Sequence, residues 1–266
     1  MIISKSNKQI KNIRELLESH KERTRQGTFV IEGSRLVSEA EESVIEKVYV
    51  SESYISDKEA YIPKNADIEV VADDIFRAVS DTVNPQGISA IVKQPKYSFE
   101  DVLEKDIYLM LDDIRDPGNL GTMIRTCEAA GAGVFMSSGC TDIFNPKVIR
   151  STMGSIFRVP FVICDLKNAI ETLKREHVTV CAATLDGAVP YHEADISDRA
   201  AYIIGNEARG VSADVAAASD IRVKIPMKGR VESLNAAISA AVLLYGSTYA
   251  ARQPGSIQTA ALTNSK

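Results

Sequence analysis

Three segments of this chain carry residue types able to bind or polarise oxygen: 112–126, 202–212 and 225–237. In the first, Asn119 stands at the mouth of a helix whose inner positions are Leu120, Met123, Ile124 and Cys127, while Thr122 and Arg125 share the opposite face. A helix N-terminus beside a guanidinium suits a phosphate or a ribose. A turn, an Asn N-cap and a surface arginine would read the same way. In the second, a buried strand runs into Gly205-Asn206-Glu207, with Gly210 close behind. Glycine at 205 lets a ligand approach the backbone, and Glu207 sets a carboxylate at the strand tip. In the third, a strand ends at Ile225-Pro226-Met227, and Lys228 and Arg230 follow. Ser233 then offers a cap to a long helix. Capping does not account for Asn235, a poor helix former among Leu and Ala. No G-x-G-x-x-G follows the first strand of this half, which argues against a conventional dinucleotide site.

The elements that must position these loops differ between the two halves. Residues 1–95 read as a compact α/β module. It opens with a polar-basic helix from Asn7 to Ser19, apolar at Ile10, Ile13, Leu16 and Leu17. A strand Thr28–Glu32 and a helix capped by Ser34 follow. Further strands fall at Lys47–Val50, Ile68–Val71 and Ile88–Lys93, and Asp73 caps a helix 74–79. Residues 96–106 read as a linker. From 107 to 252, apolar strands at Tyr108–Asp112, Gly133–Ser137, Val159–Cys164, Val178–Leu185, Ala201–Gly205 and Ile221–Met227 alternate with helices. That pattern signals a parallel sheet covered on both faces, with ligands bound beyond its carboxyl ends. A last helix is expected from Leu234 to about Ala251, and 253–266 reads as a disordered tail.

Composition narrows the function classes. The chain has 266 residues, 45% hydrophobic and 25% charged, with a formal net charge of −5, as expected of an ordinary soluble globular protein. No window reads as a membrane span or a signal peptide, so a cytoplasmic protein is expected. Cys127, Cys140, Cys164 and Cys181 are widely spaced, and His20, His177 and His192 pair with none of them at zinc spacing. Buried thiols and no metal are expected. The acidic balance argues against indiscriminate coating of nucleic acid, yet the first 35 residues gather eight lysines and arginines, including Arg23, Arg25 and Arg35. Such a basic face suits local RNA docking, or a solvated helix.

Asn119-Leu-Gly-Thr-Met-Ile-Arg-Thr126, Ile204-Gly-Asn-Glu-Ala-Arg-Gly-Val-Ser212 and Ile225-Pro-Met … Glu232-Ser-Leu-Asn235 together, in this order, resemble the three motifs of the SpoU/TrmH branch of the SPOUT methyltransferases. The resemblance covers 108–252, and Thr28–Val37 is similar to the ribosomal-protein-like substrate-binding module of many members. One departure is Ala236-Ala237, where members often have Val-Ser. The resemblance implies an α/β SPOUT domain with a deep trefoil knot, a rare exception to unknotted chains, beside a smaller N-terminal α/β RNA-binding domain. It also implies S-adenosylmethionine as cofactor and a homodimer. Carried over by position, Thr184, Leu185, Gly205, Glu207, Ile225, Met227, Leu234 and Asn235 would hold the cofactor. Asn119, Arg125, Glu207, Ser233 and Asn235 would surround the reacting atoms.

The implied reaction is 2′-O-methylation of a ribose in structured RNA, with large-subunit rRNA favoured over tRNA because of the first domain. The family view makes the motif arginine, Arg125, the base. A guanidinium is effectively never deprotonated, so we expect Arg125 to grip an RNA phosphate and stabilise alkoxide charge. Arg23, Arg25 and Arg35 are expected on further phosphates. A binding-only relative and a small-molecule α/β enzyme are the rival readings.

Overall fold

Local signals build the first unit. The computed structural model describes residues 1–58 and 60–250. Asn7 caps α1 (Lys8–Glu18) by accepting from the Gln9 amide, and the helix buries Ile10, Ile13 and Leu16. Ser19 then caps α2 (His20–Gln26), a helix the apolar pattern did not disclose, which ends at Gly27 with φ 66°. β1 (Thr28–Glu32) and α3 (Ser34–Glu39) follow. Ser34 was expected to cap α3, but it is the first helical residue. Gly33 precedes it, and the Ser34 amide donates to Gln86 Oε1. Next come β2 (Ile45–Ser51), α4 (Glu52–Ile55), β3 (Ile68–Val71), α5 (Asp73–Val79) and β4 (Ile88–Lys93). Asp73 likewise begins its helix rather than capping it, and its carboxylate takes the Ser53 amide and hydroxyl. The four strands form one sheet in the order β1-β4-β2-β3.

The segment expected as a linker is partly structured. Ser98 and Asp101 form a capping box for α6 (Phe99–Leu103), and Val102 is buried. Beyond it the chain alternates through β5 (Ile107–Asp112), α7 (Pro117–Ala130), β6 (Gly133–Met136), α8 (Pro146–Thr152), β7 (Phe161–Ile163) and α9 (Leu166–Arg175). It continues with β8 (Thr179–Ala183), β9 (Val189–Pro190), β10 (Ala200–Gly205), α10 (Ala213–Ala218), β11 (Ile221–Lys224) and α11 (Ala236–Ala250). These strands form a seven-stranded sheet in the order β7-β6-β5-β10-β8-β11-β9, parallel at every pairing. Burial on both faces explains the unbroken apolar strands, since β5 and β10 are buried at every position.

Register decides what meets at the sheet's carboxyl edge. Gly205 lies opposite Asp112, so the loops after β5 and β10 start side by side. Val223 lies opposite Ala183, which sets the loop after β11 beside Thr184 and Leu185. The three sequence segments therefore leave one edge of one sheet, where open parallel sheets place their ligands.

One apolar core runs through both sheets. Phe29 of β1 is fully buried against Phe144 and Phe157, with ring centroids 4.9 and 6.1 Å away, and Tyr97 meets Phe161 edge-on. Polar pins reinforce the junction. Arg23, 3% exposed, pairs with Asp142 at 2.7 Å and donates to the Leu16 and Leu17 carbonyls. Arg150 pairs with Asp81, and Arg158 with Glu39 at 2.7 Å. No helix among the described residues is long and apolar enough to cross a membrane. The segment 253–266, expected as a tail, lies outside the described residues.

Candidate active site

The Asp-Pro dipeptide before Asn119 sets its role. Asp116 caps α7, its Oδ1 accepting from the Asn119 amide at 2.7 Å, with Pro117 in the first turn where no amide is needed. Asn119 is thus not the cap, and its side chain is free to reach sideways. Its Nδ2 donates to Glu207 Oε1 at 3.0 Å, and its Oδ1 accepts from Asn235 Nδ2 at 2.9 Å. All three segments are joined by two side-chain hydrogen bonds.

Glu207 is the hub of this chain. Besides Asn119, it accepts from the backbone amides of Arg115 at 3.4 Å and Asp116 at 3.3 Å. Burial opposes its charge, but the Asn119 amide and the surrounding backbone N–H groups outweigh burial and hold the carboxyl below its usual range. The group is an anion at neutral pH, with its lone pairs directed toward three donors.

Asn235 corrects an expectation. The last helix begins at Ala236, and Asn235 Oδ1 accepts from the Ala237 and Ile238 amides at 2.9 and 3.3 Å. Asn235 is the cap that Ser233 was expected to be. An amide cap keeps a free Nδ2 that a serine lacks, and that Nδ2 makes the bond to Asn119. Ser233 is exposed, and among the described residues no hydrogen bond joins it to the chain.

Gly205 also differs from expectation. A Cβ there would stand 2.1 Å from the Gly210 carbon and the Val211 nitrogen. Its bare face is filled by its own loop, which closes through a bridge between Asn206 and Gly210. Glycine is required for that closure. Behind it, Asp112 accepts from the Ser212 amide at 2.8 Å. Asp113, at φ 59°, pairs with Arg115 at 2.7 Å and with Arg209, while Asn206 Nδ2 donates to its carbonyl at 2.9 Å. Sequence reasoning passed over Asp112, Asp113, Asp116 and Asn206. The Asp-Pro cap was the one available signal, because the other contacts depend on register between distant strands.

The remaining sequence candidates distribute around this edge. Thr184 and Leu185 lie just past β8, and Leu185 is 59% exposed. Ile225, Met227 and Leu234 are half-buried in the loop after β11. Among the described residues, the backbone of 225–234 makes no hydrogen bond within the protein. Apolar side chains beside unpaired amides and carbonyls fit the adenine and methionine parts of S-adenosylmethionine. Arg125 stands six residues along α7 from Asn119, about 9 Å along the axis and about 120° around it. It opens instead into a depression of about 360 Å³ shared with Arg35, Glu39, Glu128, Met153, Ser155 and Arg158. Arg25 is exposed and paired with Glu22 at 2.6 Å. Arg23 is withdrawn from the surface into its pair with Asp142, so it is an anchor between the halves and not a phosphate contact.

Known proteins share this arrangement. Residues 106–245 match the SpoU rRNA methylase family, and residues 7–90 match the MRM3-like substrate binding domain. The chain is 38% identical over 251 residues to the 23S rRNA (guanosine(2553)-2′-O)-methyltransferase RlmP of Bacillus subtilis, covering 92% of this chain and 97% of that one. The SpoU methyltransferase AviRb from Streptomyces viridochromogenes, solved with AdoMet, superposes with a TM-score of 0.82 at 25% identity, covering 92% of this chain and 98% of that one. An AdoMet-bound rRNA methyltransferase from Sinorhizobium meliloti gives 0.79 at 29% identity, covering 92% and 96%. Both the matched length and the degree of identity to RlmP lead to one conclusion: the chain belongs to the SpoU rRNA methylase family.

Proposed function

We propose that this protein methylates a ribose 2′-hydroxyl of 23S rRNA, using S-adenosylmethionine as donor. As a SpoU-family chain it is an RNA methyltransferase. The observation that carries the finer reading is the side-chain bond path Glu207–Asn119–Asn235, which ties together three loops at one sheet edge beside an apolar, unpaired backbone cradle.

When bound, S-adenosylmethionine supplies an electrophilic methyl on a sulfonium centre. Thr184, Leu185, Gly205, Ile225, Met227 and Leu234 hold it, with Glu207 and Asn235 at the edge of the cradle. The protein's tasks are then to align a ribose oxygen and to handle one proton. Glu207 orients Asn119, and its anionic charge complements a cationic ligand. Asn119 and Asn235, each held by the other, fix the polar wall against which the ribose rests. Arg125, on the face of α7 turned to the adjoining depression, takes an RNA phosphate, and the ribose proton leaves to that phosphate or to water. Ser233, at the exposed end of the same loop, completes the wall when RNA is present.

Two further features belong to this reading. The outward stripe of α11 includes Ile238, 51% exposed, and Tyr245, 37% exposed, spaced two turns apart. That apolar stripe suits a second copy of the chain, as a homodimer. The insertion of β10 between β5 and β8 is compatible with the trefoil-knotted carboxyl end that the family resemblance implies. Action on rRNA supports reading it as a cytoplasmic protein.

The test is a map of 2′-O-methyl sites in rRNA and tRNA from strains with and without the gene. One 23S ribose should lose its methyl and regain it when purified protein and S-adenosylmethionine are added. An unchanged 23S map, or a loss confined to tRNA, would overturn the proposal.

A further inference from the structure

The depression beside Arg125 sits where the two halves meet. Arg35 and Glu39 come from α3 in the first half, Arg125 and Glu128 come from α7 in the second, and Arg158 follows the turn after α8. The lining holds three guanidiniums and two carboxylates, a surplus of one positive charge. The pairing within it is uneven. Arg158 is bound to both carboxylates, to Glu39 at 2.7 Å and to Glu128, while Ser155 also donates to Glu128. Arg35 and Arg125 are exposed, and among the described residues neither guanidinium makes a hydrogen bond or an ion pair. Two unpaired guanidiniums therefore share one concave site with a third that is already neutralised.

We propose that this junction is a phosphodiester subsite, in which Arg35 and Arg125 together grip one RNA backbone phosphate while Glu39 and Glu128 occupy Arg158. The inference rests on the methyltransferase reading and deepens it, by naming where RNA bridges the halves. Forked guanidiniums match phosphate oxygens in pairs, and a phosphate adds the negative charge that the surplus lacks. Arg158 has a different task. With its carboxylates it fixes the floor of the site and holds α3 against α7. Close packing also holds Glu39 from the other side, since a Cβ on Gly154, in the turn after α8, would meet Glu39 Cβ at 2.9 Å. The grip couples docking to chemistry, because Arg125 lies on the helix that carries Asn119.

The experiment uses the full-length protein and a 23S rRNA transcript, and reads RNA affinity against salt, S-adenosylmethionine affinity and steady-state kinetics. Arg35→Ala should weaken RNA binding about tenfold and reduce the salt slope by about one, raising KM for RNA with S-adenosylmethionine affinity unchanged. Arg35→Lys should recover part of the loss. In a double-mutant cycle, Arg35→Ala and Arg125→Ala should be sub-additive in RNA affinity, because either change releases the same phosphate. Glu39→Gln removes one negative charge from the lining while Arg158 stays on Glu128, and should tighten RNA binding. Full additivity of the two arginine variants, an unchanged salt slope in Arg35→Ala, or a loss of S-adenosylmethionine affinity in that variant would each overturn the subsite. If the transcript binds but no methyl is transferred by the unaltered protein, the functional reading fails while the subsite stands.

Discussion

Asn235 donates to Asn119 across 2.9 Å, joining side chains 116 positions apart in the chain. Each asparagine has a second duty: Asn119 donates to Glu207, and Asn235 caps the last helix. The helix start and the site wall therefore depend on one residue, and the two duties use different atoms of its amide.

That division can be separated by substitution. Asn235→Asp keeps an oxygen for the Ala237 and Ile238 amides, so the helix cap survives and the melting temperature should stay near that of the unaltered protein. It replaces the donor facing Asn119 Oδ1 with a second acceptor. Methyl transfer should fall about 10–100-fold through misplacement of Asn119. Asn235→Ala should lose both, with about 1 kcal/mol of stability from the cap. Thermal melts and single-turnover rates together check the pair. Equal activity in Asn235→Asp would remove the bond from catalysis.

Glu207 gives a pH prediction. Its folded-state pKa is depressed, with burial opposed and outweighed by the Asn119 amide and backbone N–H donors. The stabilisation it lends the three loops is thus fully present above the ordinary carboxylate pKa of about 4.3, and is lost only as pH falls through the lower folded value. Between pH 5 and 8 the rate should show no inflection from this group, and Glu207→Gln should be slower by about tenfold or more throughout that range. A limb within that window that disappears in Glu207→Gln would contradict the assignment.

Arg23 offers a test of stability rather than binding. Removing it leaves Asp142 without its cation in a site 13% exposed, and strips donors from the Leu16 and Leu17 carbonyls. Arg23→Ala should cost about 3–5 kcal/mol, seen as an earlier denaturation midpoint. The salt slope of RNA binding, measured below that midpoint, should match the unaltered protein. A changed slope with unchanged stability would return Arg23 to the RNA surface.

Gly205→Ala probes the second loop. Its methyl would lie 2.1 Å from backbone atoms of Gly210 and Val211, which have no side-chain freedom to give way. The loop carrying Glu207 must then shift, at a cost of about 1–3 kcal/mol or more. Activity and S-adenosylmethionine affinity should fall together. By contrast Gly210→Ala meets no neighbouring atom and bears only the strain of φ 69°, so its effect on both should be smaller.

Much of this was legible in the chain itself. Continuous apolar strands announced the parallel sheet, and the three polar loops were found as loops at strand ends. Helix caps are less legible: Ser34, Asp73 and Ser233 are each expected to cap and none does, because Ser34 and Asp73 are already the first helical residues and Asn235 caps the last helix. At Gly205 the missing Cβ matters, as the sequence suggests, but the atoms that approach it belong to its own loop. Arg23 resembled its basic neighbours in sequence. Only the docking of α2 against the second half, a contact 119 residues away, distinguishes it from Arg25. Information of that kind resides in tertiary register, which local spacing does not encode.

The shared core beneath Phe29, Phe144 and Phe157 carries a further meaning. Aromatic rings interleave across the boundary and three arginine pairs surround them, so any swing of one half against the other would have to break a shared core. The molecule then acts as a caliper of fixed span: wherever the basic end rests on an RNA, the methylating edge falls at a set distance and angle. Choice of nucleotide becomes a property of RNA shape, decided by which folded helix and loop present a ribose at that separation.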